Sequence, residues 1–138
     1  MAVIDVTAKP LPVPTPESAP YWAGLREGRL LVQRCTACEK LQFYPRSICR
    51  HCTSDELDWA EMSGNGRIYS YTIVYRAPFE AFQADVPYAY AVVELDEGPR
   101  VVCTIVTDDL NALVVEQPVT AVFDPVTEDV TLLRFRPA

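Results

Sequence analysis

Four of the chain's five cysteines stand as Cys35-x2-Cys38 and Cys49-x2-Cys52, with ten residues between the pairs. Each pair spans a tight turn that brings two thiolates to one side. Two such turns on adjacent hairpins can converge on a tetrahedron with sulfur about 2.3 Å from a zinc ion. Four thiolates complete a structural zinc site and leave no open position for catalysis. Two disulfides or four free thiols are the alternative reading of the same spacing. Many zinc knuckles place Gly directly after the second Cys, where a positive φ is convenient. Here Glu39 and Thr53 occupy those positions, so the turn either accepts local strain or takes another form.

Other chemistry-bearing residues are sparse. His51, the single histidine, could in principle replace a thiolate, but with four cysteines present it reads as a surface residue of the knuckle. Alternation groups Cys103 with Val101 and Ile105 on one strand face, which favours a buried, inert thiol over a nucleophile. Glu94, Asp96, Glu97, Asp108 and Asp109 crowd the expected strand ends and read as solvated turn residues. The sequence contains no GxSxG, HExxH, P-loop or GxGxxG. One histidine sited in the ribbon leaves little from which to build a Ser-His-Asp device.

The elements that must carry these residues follow from local pattern. Residues 1–17 contain Pro10, Pro12, Pro14 and Pro16 and read as an extended arm or a disordered tail. Ser18 is placed to cap a short helix running to about Glu27, with Tyr21, Trp22 and Leu25 on its apolar side and Gly28 ending it. Arg29–Arg34 and Leu41–Tyr44 read as strands leading into the two cysteine pairs. Beyond Cys52 alternating segments recur at Gly66–Tyr75, Tyr88–Leu95, Arg100–Val106, Val119–Phe123 and Val130–Phe135. Gly64-Asn65-Gly66 is a turn signal between them. Five short strands suggest a small Greek-key barrel such as an OB-fold. The expected division is an arm over 1–17, helix and ribbon over 18–58, and barrel over 59–138.

Two aromatic sets accompany the strands. Tyr69, Tyr71 and Tyr75 fall on one expected face with Ile73, which fits barrel core better than a base-stacking surface. Phe79 and Phe82 lie in a long inter-strand stretch and are candidates either for a partner contact or for folding back over the barrel end.

Composition bounds the class. The chain has 138 residues, 49% of them hydrophobic, and a net charge of −7. That suffices for a real core in one ordinary or two very small domains. No apolar run approaches the roughly 18 residues a membrane helix needs, and the start lacks a secretory pattern, so a cytoplasmic protein is the expectation. Charge is unevenly spread. Residues 21–52 hold six basic residues (Arg26, Arg29, Arg34, Lys40, Arg46, Arg50) against two acidic ones, a balance of +4; the remaining six basic and 17 acidic residues give −11. A mildly basic module thus adjoins a strongly acidic one.

Together these residues resemble a known family. The aromatic helix start (Tyr21-Trp22-x-Gly24-Leu25), Gly28-Arg29-Leu30-Leu31, the paired cysteines, Gly66-Arg67-Ile68-Tyr69-Ser70-Tyr71-Thr72, and Pro87-Tyr88 with a Val-Glu-Leu-Asp strand are similar to the zinc-ribbon plus OB-fold proteins catalogued as domain of unknown function 35. The resemblance covers about residues 18–137. It implies a mainly β fold: a short N-terminal helical segment, a rubredoxin-like zinc ribbon and a C-terminal five-stranded OB-fold barrel. It further implies a non-catalytic companion of thiolase-superfamily enzymes (thiolase, synthase or aldolase) in acyl-CoA, lipid or steroid metabolism. Cys35, Cys38, Cys49 and Cys52 match the family's zinc ligands one by one; the absent knuckle glycines depart from its pattern.

The reading is therefore an accessory or scaffold subunit with structural zinc. Its partner would be a thiolase-like enzyme that supplies the catalytic groups. Arg34, Arg46 and Arg50 are candidates for the phosphates of coenzyme A, since the guanidinium fork suits phosphate; the alternative is that they keep the ribbon soluble. Tyr21, Trp22, Phe79 and Phe82 are candidate partner contacts. A single-stranded nucleic-acid-binding OB protein is the competing class, which net acidity disfavours.

Overall fold

The structure, a computed structural model, describes residues 8–138. Residues 1–7 of the expected arm lie outside the described residues. Helix α1 (Ala19–Arg26) is followed by β1 (Leu30–Cys35), β2 (Leu41–Gln42) and β3 (Leu57–Met62), which form an antiparallel sheet in the order β2-β1-β3. Strands β4 (Asn65–Val74), β5 (Tyr88–Leu95), β6 (Arg100–Ile105), β7 (Pro118–Pro125) and β8 (Thr131–Pro137) close a barrel in the order β4-β5-β6-β8-β7. That is the OB arrangement expected from the strand count. β6 and β8 meet in parallel at Ile105 and Phe135, and every other barrel pair is antiparallel.

Helix α1 ends as its sequence directs. Gly28 takes φ +72, and the N–H groups of Gly28 and Arg29 bond back to the carbonyls of Leu25 and Gly24, the paired closure that a left-handed residue permits. Its start differs from expectation. Ser18 sits at the cap position but makes no side-chain cap bond. Pro20 removes one N–H that a cap would take, and the Ser18 hydroxyl instead accepts from the Thr15 N–H at 2.9 Å.

Strand β3 has no counterpart in the sequence reading. It pairs with β1 over six positions, from Leu30 opposite Met62 to Cys35 opposite Leu57, and so runs across the 58/59 line between ribbon and barrel. One buried cluster serves all three units: Tyr21 and Leu25 from α1, Leu30, Val32 and Met62 from the ribbon sheet, and Ile68, Val93, Val101, Val119 and Phe135 from the barrel. The first cysteine pair thus hangs from a sheet whose inner face is barrel core.

Two barrel details correct the sequence reading. Of the expected Gly64–Gly66 turn, only Gly64 turns (φ +84), while Asn65 and Gly66 already belong to β4. A Cβ at Gly66 would lie 2.5 Å from the Glu94 carbonyl oxygen, so a close strand approach requires glycine there. A bulge between Ile68 and Ser70 then shifts the β4–β5 register. It points Ile68 and Tyr71 inward and leaves Tyr69 43% exposed. Tyr75 lies beyond the strand end and is exposed. The three tyrosines therefore do not share one core face. Only Tyr71 packs inward, donating its hydroxyl to the Leu113 carbonyl at 2.7 Å.

Candidate metal centre and its surroundings

The two cysteine turns are built alike. In the first, which leaves β1 at Cys35, the Glu39 N–H bonds the Cys35 carbonyl at 2.8 Å, the Cys35 N–H bonds the Lys40 carbonyl at 3.0 Å, and the Cys38 N–H points at the Cys35 sulfur at 3.5 Å. In the second, the Thr53 N–H bonds the Cys49 carbonyl at 2.9 Å, the Cys49 N–H bonds the Ser54 carbonyl at 2.7 Å, and the His51 N–H lies 3.3 Å from the Cys49 sulfur. Glu39 and Thr53 both take φ +65. The turn keeps its usual form and the side chains accept the left-handed backbone, at a cost of about 1–2 kcal/mol each. Of the two outcomes left open by the absent glycines, strain is the one realised.

The four sulfurs lie within 4.8 Å of one another. Cys35 and Cys52 are 3.5 Å apart, Cys38 and Cys49 3.7 Å. All four thiols are free, against the disulfide alternative. A tetrahedron with zinc–sulfur bonds of about 2.3 Å has edges of roughly 3.8 Å, so the donor set fits one tetrahedral ion of thiophilic character. Cys35 and Cys49 are buried, and Cys38 and Cys52 are more open. N–H groups directed at sulfur offset thiolate charge. His51 is exposed and outside the donor set.

The arginine candidates do not converge. Arg34 is exposed and lies 3.8 Å from Glu39. Arg46 is anchored through its backbone to Gln33. Of the three, only Arg50 lines an open cleft of about 590 Å³ between the ribbon and the β5–β6 hairpin, where Lys40, His51 and Arg100 stand beside the carboxylates Glu39 and Glu97. Lys40 and Arg100 were missed as members of this set; only Lys40 had a local signal, its place beside the first turn. Arg100 lies 3.8 Å above the Tyr69 ring and bonds Glu94 at 3.0 Å. Hydrogen bonds from Arg67 and Arg100 hold the Glu94 carboxyl below its usual range, so this strand-end carboxylate is paired rather than merely solvated. Glu97 accepts from the Ser63 N–H at 2.7 Å, and Asp109 caps the turn at Asn111.

The candidate contact residues separate likewise. Tyr21 is 7% exposed, and burial pushes its hydroxyl pKa up. It belongs to the core and turns little surface outward, because the helix face it shares with Leu25 is the face pressed on the barrel. Trp22, packed edge-on against Tyr21 with centroids 4.9 Å apart, is half-buried. Phe79 and Phe82 stack edge-to-face at 4.9 Å in the β4–β5 loop, half-buried and outside the core cluster. Lys9 covers one side of Phe82 and pairs with Asp85 at 2.6 Å. Cys103 is buried with Val101 and Ile105, as alternation predicts, and burial pushes its thiol up to about 12. Such a thiol carries almost no thiolate at neutral pH. No helix among the described residues is long and apolar enough to cross a membrane.

Comparison with known proteins gives consistent matches. Residues 22–58 match the family described as "ChsH2, rubredoxin-like zinc ribbon domain", and residues 59–124 match "ChsH2, C-terminal OB-fold domain". A "DUF35 domain-containing scaffold protein" of Methanocaldococcus jannaschii is 34% identical, over 78% of this chain and 77% of that one. A "Probable enoyl-CoA hydratase alpha subunit" of Thermomonospora curvata is 35% identical over 94% of this chain, which spans only 40% of that protein's length. The "Benzoylsuccinyl-CoA thiolase subunit BbsA" of Geobacter metallireducens is 31% identical, over 66% of this chain and 54% of that one. Among solved structures, a chain of the "Ltp2-ChsH2(DUF35) aldolase" superposes with a TM-score of 0.82 at 34% identity, covering 91% of this chain and 98% of that one.

Proposed function

Because the chain belongs to the DUF35 family, whose members join a rubredoxin-like zinc ribbon to an OB-fold, we propose that it is a non-catalytic scaffold subunit of a thiolase-superfamily enzyme acting on acyl-CoA. The observation that carries this reading is its likeness, over 91% of its length, to a chain of the "Ltp2-ChsH2(DUF35) aldolase". The name of BbsA, a subunit of a CoA-thioester thiolase, points the same way. Cys35, Cys38, Cys49 and Cys52 hold structural zinc, which fixes the ribbon and takes no part in catalysis. Trp22, Phe79 and Phe82 contact the partner. The cleft at Arg50, with Lys40 and Arg100, offers cations for the phosphates of coenzyme A. The complex works in the cytoplasm.

The partner supplies the reacting groups, so the isolated chain is expected to release no thiol from acyl-CoA thioesters. A thiol-release assay checks this. Steady release that survives Cys103→Ala would reveal a site in this chain and overturn the scaffold reading; release abolished by that substitution would make Cys103 catalytic.

A nucleic-acid role is disfavoured by charge. Backbone neutralisation supplies most non-specific affinity, and the chain outside residues 21–52 carries 17 acidic against six basic residues. Fluorescence-anisotropy titration with single-stranded DNA or RNA at physiological salt is expected to show weak or no binding. Sub-micromolar affinity would favour the competing class.

A further inference from the structure

Residues 46–50, which carry the second cysteine turn to Cys49, belong to no strand. The first turn is different: Cys35 ends β1 and is paired with Leu57 of β3, while Arg34 is paired with Leu41 of β2. Something other than a backbone ladder must hold Cys49 in place. β2 stops at Gln42, two residues before the expected strand end. From there two glutamine side chains take over the pairing.

Gln33 and Gln42 are register partners across β1 and β2, and they are 4% and 2% exposed. The Gln33 amide reads the backbone of Arg46 on both sides: its Nε2 donates to the carbonyl at 2.8 Å and its Oε1 accepts the N–H at 2.8 Å. Gln42 Nε2 donates to Gln33 Oε1 at 2.7 Å and to the Ile48 carbonyl at 3.3 Å. Gln42 Oε1 accepts from the Arg50 N–H at 2.8 Å. Cys49 lies between the last two anchor points. Every polar atom of both amides is engaged, and a buried amide is tolerated only when so satisfied.

Resting on the zinc reading above, we propose that the Gln33–Gln42 pair is a positioning device for the metal site, fixing residues 46–50 so that Cys49 meets the other three sulfurs without rearrangement. Neither glutamine touches the sulfur cluster. Their effect passes through the backbone that bears Cys49.

The test is the rate at which the zinc-loaded full chain gives up its metal to a chromogenic chelator. Partners one step removed from the ligands commonly change metal affinity 10–100-fold, so Gln42→Ala is expected to speed release by about 10–100-fold. Gln42→Glu keeps the acceptor for Arg50 but sets a buried carboxylate oxygen against Gln33 Oε1 and the Ile48 carbonyl, so its release is expected to be at least as fast as that of Gln42→Ala. Val101→Ala, a core substitution outside the Gln33–Gln42 hydrogen-bond set, controls for general destabilisation and is expected to leave release unchanged. If Gln42→Ala does not fold, Gln42→Met, which fills the same space and loses all three hydrogen bonds of Gln42, carries the test. Wild-type release rates in the Gln42 variants, or equal acceleration by Val101→Ala, would overturn the inference. A wild-type chain that purifies without zinc would remove the zinc reading as well; a zinc-loaded chain indifferent to Gln42 would remove this inference alone.

Discussion

Replacing Cys49 by Ser is expected to empty the metal site and unfold the ribbon turns while the barrel stays folded. Cys49 is buried among four sulfurs that fit one tetrahedral ion, and a hydroxyl is a poor substitute for a thiolate ligand of zinc. From Thr36 to Glu56 the chain is mostly exposed or half-buried, with Gln42 and Cys49 the buried residues. That segment has almost no apolar core of its own. Metal binding must supply its folding energy, which for isolated zinc modules amounts to about 10–16 kcal/mol. The barrel rests on its own buried cluster. Elemental analysis should fall from about one zinc per chain to well under half. Hydrogen exchange should lose protection over 36–54 and keep it over β4–β8. A wild-type chain with intact disulfides and no metal would contradict the assignment.

The second large effect is expected at the partner surface. Trp22→Ala and Phe82→Ala should each weaken association with the enzyme by about 2 kcal/mol, roughly 30-fold in Kd, as truncation of a buried aromatic anchor commonly does. Trp22 leans on Tyr21 at the edge of the core, and Phe82 stacks with Phe79 away from it. Both keep part of their surface open for a partner to cover. Titration of the purified partner by surface plasmon resonance, with thermal melts as a check on folding, reads the effect. If a complex forms and both substitutions leave it intact, the partner stands and the contact surface lies elsewhere.

What was legible in the sequence is what depends on neighbours in the chain. The cysteine pairs are local turns, so their spacing alone forecast the sulfur cluster. Alternation placed Cys103 inside with Val101 and Ile105. The features that were missed depend on distant partners. β3 is legible only beside β1, with which it pairs from Leu30–Met62 to Cys35–Leu57. Regular alternation puts Tyr69 in the core, and the bulge at Ile68–Ser70, set by pairing with β5, reverses it. Tyr21 and Trp22 are adjacent on one short helix, and only the packed barrel decides that Tyr21 goes inside. Gln33 and Gln42 resemble surface residues in a linear reading; the β1–β2 register turns them toward each other and into the ribbon. Arg100 meets Arg50 only across the cleft between two separately coded units.

The scaffold assignment is tested most directly by co-expressing this chain with each thiolase-superfamily enzyme of the same source, followed by size-exclusion chromatography and an activity assay. One of those enzymes is expected to co-elute with the chain as a stable complex, and to lose activity or solubility when the chain is omitted. If every candidate instead elutes separately and is fully active alone, this chain is not the accessory subunit of such an enzyme.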